Sequence, residues 1–179
     1  MDSRKLKWFG LGAWSAIVAA AMVACGGGGG MPEADGTMRF AITDAPACGY
    51  DHVWVTVDKV RVNTNGNASD TDGGWTDLTL SPARRIDLLT LTNGVLEELG
   101  STPLPAGHYS QVRLVLAANA PGATTPANAV QPTGGAVVPL TTPSSQQSGF
   151  KLQVNADVAA GQMADLVLDF DACHSIVKA

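Results

Sequence analysis

Charge is scarce in this sequence, and positive charge scarcest. Lys and Arg number 11 against 16 Asp and Glu in 179 residues, and charged side chains make up 15% of the chain. Arg4, Lys5 and Lys7 lie with Asp2 in the first 24 residues, leaving eight basic and fifteen acidic residues, a net −7, in the remainder. That balance argues against nucleic acid or anionic lipid as a partner. Histidine is rarer still. His52, His108 and His174 form no HExxH and no i, i+4 pair, so no metal spacing is recognisable. There is no G-x-S-x-G elbow, no phosphate-binding P-loop and no G-x-G-x-x-G, so the usual signals of hydrolases and nucleotide sites are missing. No window beyond ten residues keeps a helical apolar period; only 95–99 admits a helical turn. Aromatics are few at 6%, but a 45% apolar content is enough for a core and excludes wholesale disorder.

The N-terminus reads as an export signal. Behind the three basic residues, an uncharged apolar run extends from Trp8 to Ala24 and closes on small residues. Its end, Met22-Val23-Ala24-Cys25-Gly26, resembles a bacterial lipobox with Met22 where Leu is usual. The resemblance implies cleavage between Ala24 and Cys25, with diacylglycerol on the Cys25 thiol and a further acyl chain on the new amine. Several acyl chains make a membrane anchor stable. Five glycines, Gly26 to Gly30, follow as a flexible spacer. The division is then a signal peptide over 1–24, a lipid-anchored glycine-rich tether over 25–35, and one folded domain over 36–179. Gly26 in place of Asp favours the outer over the inner membrane, by similarity to enteric lipoproteins.

The folded part alternates with period two. Met38, Phe40 and Ile42 form one set; Val53, Val55 and Val57 form a second. Val60 and Val62 continue on the opposite parity, which predicts either a bulge near Asp58-Lys59 or a strand that changes face. Val112, Leu114 and Leu116, then Phe150, Leu152 and Val154, then Leu166, Leu168 and Phe170 complete the strands. The polar stretch 63–74 suits a hairpin loop, and Asn93-Gly94 predicts a second hairpin. Residues 116–149 carry no charge and are rich in Ala, Thr, Pro, Gly and Ser, with a short edge strand expected within 136–140. The fold expected is all-β, a single antiparallel β-sandwich of about seven strands.

Two acidic groupings are candidates for cation chemistry. Asp70-Thr71-Asp72-Gly73-Gly74 begins like a calcium loop but lacks the distal ligands, which favours a solvated hairpin tip. Asp169 and Asp171, flanking Phe170, would share one strand face. With Asp44 they form the weak metal-binding or hydrolytic set; the blander expectation is a salt bridge to Arg113 or Lys151. No cofactor and no enzymatic activity are expected.

Several motifs, in order, resemble a known family. They are Thr43-Asp44-Ala45-Pro46; Leu104-Pro105-Ala106-Gly107-His108-Tyr109 leading into Val112-Arg113-Leu114; Pro143-Ser144 and Ser148-Gly149-Phe150-Lys151-Leu152; and Leu168-Asp169-Phe170-Asp171-Ala172 with Ser175-Ile176-Val177. Over about residues 36–177 the chain resembles the bacterial lipoprotein family catalogued as domain of unknown function 4382. The resemblance implies a β-sandwich on a secreted or lipid-anchored protein and no defined activity. Members of that family continue past the Ser-Ile-Val segment into a further strand, so it also implies a fragment or a sheet with an open edge. The function expected is a lipid-anchored, non-catalytic module of the bacterial cell envelope that binds a glycan or protein. A spacer without ligand is the alternative, with an aspartate-based site behind it.

With Cys25 committed to lipid, Cys48 and Cys173 remain as an even pair in an oxidising compartment. Each follows the end of a strand, and they can meet if those ends coincide. A bridge would close 125 residues, a loop worth roughly 4–5 kcal/mol in the chain-entropy model. The Cys25→Ala protein, unfolded without reductant, should titrate no free thiol. Two free thiols would contradict the Cys48–Cys173 bridge.

Overall fold

Alternation in the first strand sets the architecture. In β1 (Gly36–Asp44), Met38, Phe40 and Ile42 are fully buried, while the residues between them face outward or sit half-covered. The computed structural model describes residues 34–44 and 49–177, and all described elements fall in the unit Pro32–Ala179. The leader, Cys25 and the glycine run lie outside the described residues, as do Cys48 and the side chain of Cys173.

β2 (Tyr50–Asn63) is the longest strand, and a bulge lies where the valine parity changes: its register against two neighbours shifts between Val57 and Lys59. One extra residue, Asp58, turns the chain so that Val53, Val55 and Val57 and then Val60 and Val62 all enter the same core. β3 (Thr76–Asp87) returns along one edge of β2 after the polar loop. β4 (Glu97–Leu104), β5 (Gly107–Leu116), β6 (Ala129–Pro132), β7 (Val138–Pro139), β8 (Phe150–Val158) and β9 (Met163–Phe170) complete nine strands.

They form two layers. One sheet has the order β4-β1-β9; the other has β7-β6-β2-β5-β8, with β3 on the remaining edge of β2. The core lies between them, joined by Leu88, Leu104, Leu114 and Leu116. This is the expected all-β sandwich, with two additional strands and one difference in direction. β1 and β9 pair parallel, Asp44 in register with Phe170, whereas the other strand pairs are antiparallel. Parallel pairing is open to the first and last described strands because a long connection separates them.

The uncharged stretch supplies β6 and the short edge strand β7, whose Pro139 lacks an N–H and suits an edge. Asn93-Gly94 does make a tight turn, with both residues at positive φ and Val95 N–H donating to Thr92 O at 3.4 Å. It is not a hairpin, however: β3 and β4 belong to different sheets, and a 3₁₀ turn, Leu88–Leu91, precedes the Asn-Gly pair. The turn therefore redirects the chain between layers. The stretch 95–99 leads into β4 instead of coiling, and the short helices are α1 (Pro143–Gln147) and α2 (Ala172–Ser175).

The two ends of the sandwich differ. At the Gly36 end the layers meet closely: a Cβ added to Gly36 would fall 2.4 Å from Ala159 O and 2.5 Å from Val158 Cγ1. Tyr109 is buried there, with its hydroxyl donating to Pro105 O at 2.9 Å. Burial pushes its phenol above the ordinary tyrosine range, and the charge of Asp35 adds to the effect. At the Asp44 end the layers part. Phe40 fills the centre between these ends, so Phe40→Ala should lower unfolding stability by about 3–5 kcal/mol in a urea titration. A loss below about 1 kcal/mol would show that the core is not packed around this ring.

Candidate functional site

Where the layers part, a cavity of about 740 Å³ opens. Its inner wall is the buried start of β2, Val53 and Val55, with Leu116 from the end of β5 and Val130 from β6. Leu140, the short helix α1, Phe150, Phe170 and Ile176 complete the described lining. Among the described residues that line it, none is charged and every polar side chain is a hydroxyl. Phe150 and Phe170 meet edge to face across the sheets, their ring centres 5.7 Å apart. Their sequence positions, at the start of β8 and the end of β9, bring both rings to this end.

The wall depends on a junction that the strand pattern does not reveal. Along one edge of β2, β5 stops opposite Val57 and β6 begins opposite Trp54, so the backbone near Thr56 lies between two partners. Asn128 fills the gap. Fully buried, it accepts from Thr56 N–H at 2.9 Å through Oδ1 and donates from Nδ2 to Ala117 O at 2.7 Å. Asn119 repeats the device one layer out: it accepts from Asn128 N–H at 2.7 Å and donates to the carbonyls of Asn128 and Leu140. Leu140 N–H in turn donates to Asn128 O at 3.0 Å. Two asparagines thus hold Leu116, Val130 and Leu140 in one wall. In the sequence they look like ordinary loop residues; the signal was their position inside an uncharged stretch that could not otherwise satisfy its backbone.

The candidate aspartates gather around the C-terminal ends of β1 and β9. Asp44 is buried at the end of β1 and accepts from Ala172 N–H at 3.0 Å. Asp169, in register with Thr43, projects from the outer face of the same sheet. Asp171 is past the end of β9 and not on its face, because the strand stops at Phe170; it caps α2, accepting from His174 N–H at 3.0 Å and pairing with His174 Nδ1 at 2.6 Å. No aspartate among the described residues lines the cavity. Among the described residues, no group of three or more His, Cys, Asp or Glu comes together to hold a metal ion.

Arg113 has a role other than the expected neutralisation of Asp169 or Asp171. It is buried on the outer face of β5 beneath the β2–β3 loop, donating to Ala68 O at 2.8 Å and Ser148 O at 2.9 Å. Its guanidinium lies 5.0 Å from the Trp75 ring centre, and Arg61 approaches the same ring at 4.8 Å. The calcium-like stretch is the tip of this loop. Asp72 accepts from Ser69 N–H at 2.8 Å, and that bond holds its carboxyl below the usual range. Each histidine meets an aspartate through Nδ1: His52 with Asp87 at 2.5 Å, His108 with Asp157 at 2.8 Å, and His174 with Asp171. Asp87 also accepts from Val53 N–H and Leu89 N–H, which ties β2 to the 3₁₀ turn.

A two-layer sandwich with a pocket at one end, its described lining uncharged, defines a β-sandwich domain. The chain belongs to the family described as domain of unknown function (DUF4382), whose model matches residues 35–179. No curated protein and no solved structure matches the chain.

Truncating the junction tests its importance. Asn128→Ala leaves Thr56 N–H and Ala117 O buried without their partner, each at a cost of about 1–3 kcal/mol. The expected result is a stability loss in that range or above it, with amide exchange accelerated at Thr56 and Leu140. Unchanged exchange at both sites would contradict the role assigned to Asn128.

Proposed function

We propose that the chain is a lipid-anchored protein of the bacterial cell envelope whose β-sandwich is a non-catalytic binding module. The observation that carries the binding reading is the cavity, uncharged among its described lining residues, braced by buried Asn128 and half-buried Asn119 and lying within the size range of small-molecule sites. Anchoring is supported by the sequence: basic residues, an apolar run, and Cys25 where that run stops. Residues 25–35 would allow a reach of about 35–40 Å if fully extended. β1 begins at Gly36, and the cavity lies at the opposite end of that strand. The tether therefore joins the domain at the end away from its opening.

The Cys48–Cys173 bridge belongs to the same proposal. Its support is the parallel register of β1 and β9, whose C-terminal ends coincide, with Asp44 beside Phe170 and bonded to Ala172 N–H. A bridge there would be structural, holding the rim of the pocket, with no redox chemistry.

Anchoring is read directly in cells. A clickable palmitate analogue should label the full chain, and Cys25→Ala should abolish the label and release the protein from the membrane fraction. A labelled Cys25→Ala protein would overturn lipidation at this residue.

A further inference from the structure

We infer that the cavity takes a neutral single-chain amphiphile, one with an apolar tail and an uncharged hydrogen-bonding head, such as a long-chain alcohol or a monoacylglycerol. The inference rests on the binding-module reading and gives that site its ligand class. Three observations carry it. The first is size: about 740 Å³ is room for a small molecule and too little for a folded partner. The second is the apolar lining that remains accessible: Val138 and Val177 are exposed, and Leu140, Phe150, Phe170 and Ile176 are partly buried, above a closed floor of Val53, Val55 and Leu116 whose strand framework is already hydrogen-bonded. Filling it with alkyl groups needs no polar group to be desolvated without compensation.

The third observation is the rim. The polar side chains among the lining residues are the hydroxyls of Tyr50, Thr141, Thr142, Ser144, Ser145 and Ser175. Two of them are already committed: Ser145 donates to Thr142 O, and Thr142 Oγ1 accepts from Gln146. A hydroxyl rim can exchange hydrogen bonds with an alcohol, ester or amide head. Among the described lining residues there is no countercharge for a carboxylate, phosphate or ammonium, and burying such a charge unpaired is strongly disfavoured. The described lining therefore favours an uncharged head over a charged one.

The test uses three ten-carbon compounds that differ only at the head: 1-decanol, decanoate and decylammonium. Each is titrated by calorimetry into the full chain in phosphatidylcholine nanodiscs, with empty nanodiscs subtracted. Decanol should bind saturably at one site per chain and at least tenfold tighter than either ion. Shortening the alcohol should weaken binding about fourfold per methylene removed. Ile176→Lys, a half-buried rim position, should weaken decanol at least tenfold and reverse the order in favour of decanoate. Leu140→Ala serves as a milder variant and should weaken decanol several-fold, with circular dichroism confirming that both variants stay folded. Equal binding of all three heads, or a charged head bound tightest by the unaltered chain, would overturn the ligand class while leaving a binding pocket in place. No saturable binding of any of the three to folded protein would overturn the ligand class and the binding-module reading together.

Discussion

A strand that changes partners midway must satisfy its backbone at the change, and the molecule is arranged around that requirement in β2. One edge of β2 is paired with β3; along the other, β5 covers the C-terminal half and β6 the N-terminal half. At Thr56 neither strand is in register, and an orphaned buried amide there would cost as much as a lost hydrogen bond. Asn128 supplies the missing acceptor through its side chain and at the same time secures Ala117 O. The residues on either side of the junction, Leu116 at the end of β5 and Val130 in β6, both line the cavity.

The bulge at Asp58 is the second half of the same solution. Without it, the alternation that buries Val53, Val55 and Val57 would send Val60 and Val62 to the outer face. With one residue inserted, a 14-residue strand keeps a single apolar face across both sets of partners. The outer face is then free to carry Arg61 and, on β5, Gln111 and Arg113, over which the polar loop folds with Trp75 and Ala68. Arg113 needs no carboxylate in that setting, since carbonyl oxygens and an aromatic face surround the guanidinium.

What could be read from the sequence follows from which interactions are local. Period-two runs such as Met38-Phe40-Ile42 record burial directly, and the parity change at Val57–Val60 located a bulge that exists. Pro139 marked an edge strand for an equally local reason, its missing N–H. Asn93-Gly94 announced a turn through its positive φ, but which strands a turn joins depends on sheet assignment, and β3 and β4 fall in different layers. The parallel pairing of β1 with β9 joins strands more than a hundred residues apart, and no local pattern encodes it. Asp171 misled for a similar reason: alternation extends on paper past Phe170, whereas the chain there turns into a four-residue helix that needs a cap. The cavity was illegible because it is a gap between elements. Its lining comes from strand ends and from a stretch whose distinguishing feature is the absence of charge.

Methyl-resolved NMR of the chain in nanodiscs with 1-decanol added tests most directly whether the opening at the Asp44 end is a preformed apolar binding site. The expected shifts are confined to Val138, Leu140, Ile176 and the valines and leucine directly beneath them, saturating together, with Met38 at the closed end unmoved. Shifts spread over exposed Met163 and Val167, or absent from Val138 and Leu140, would contradict a binding site at this opening.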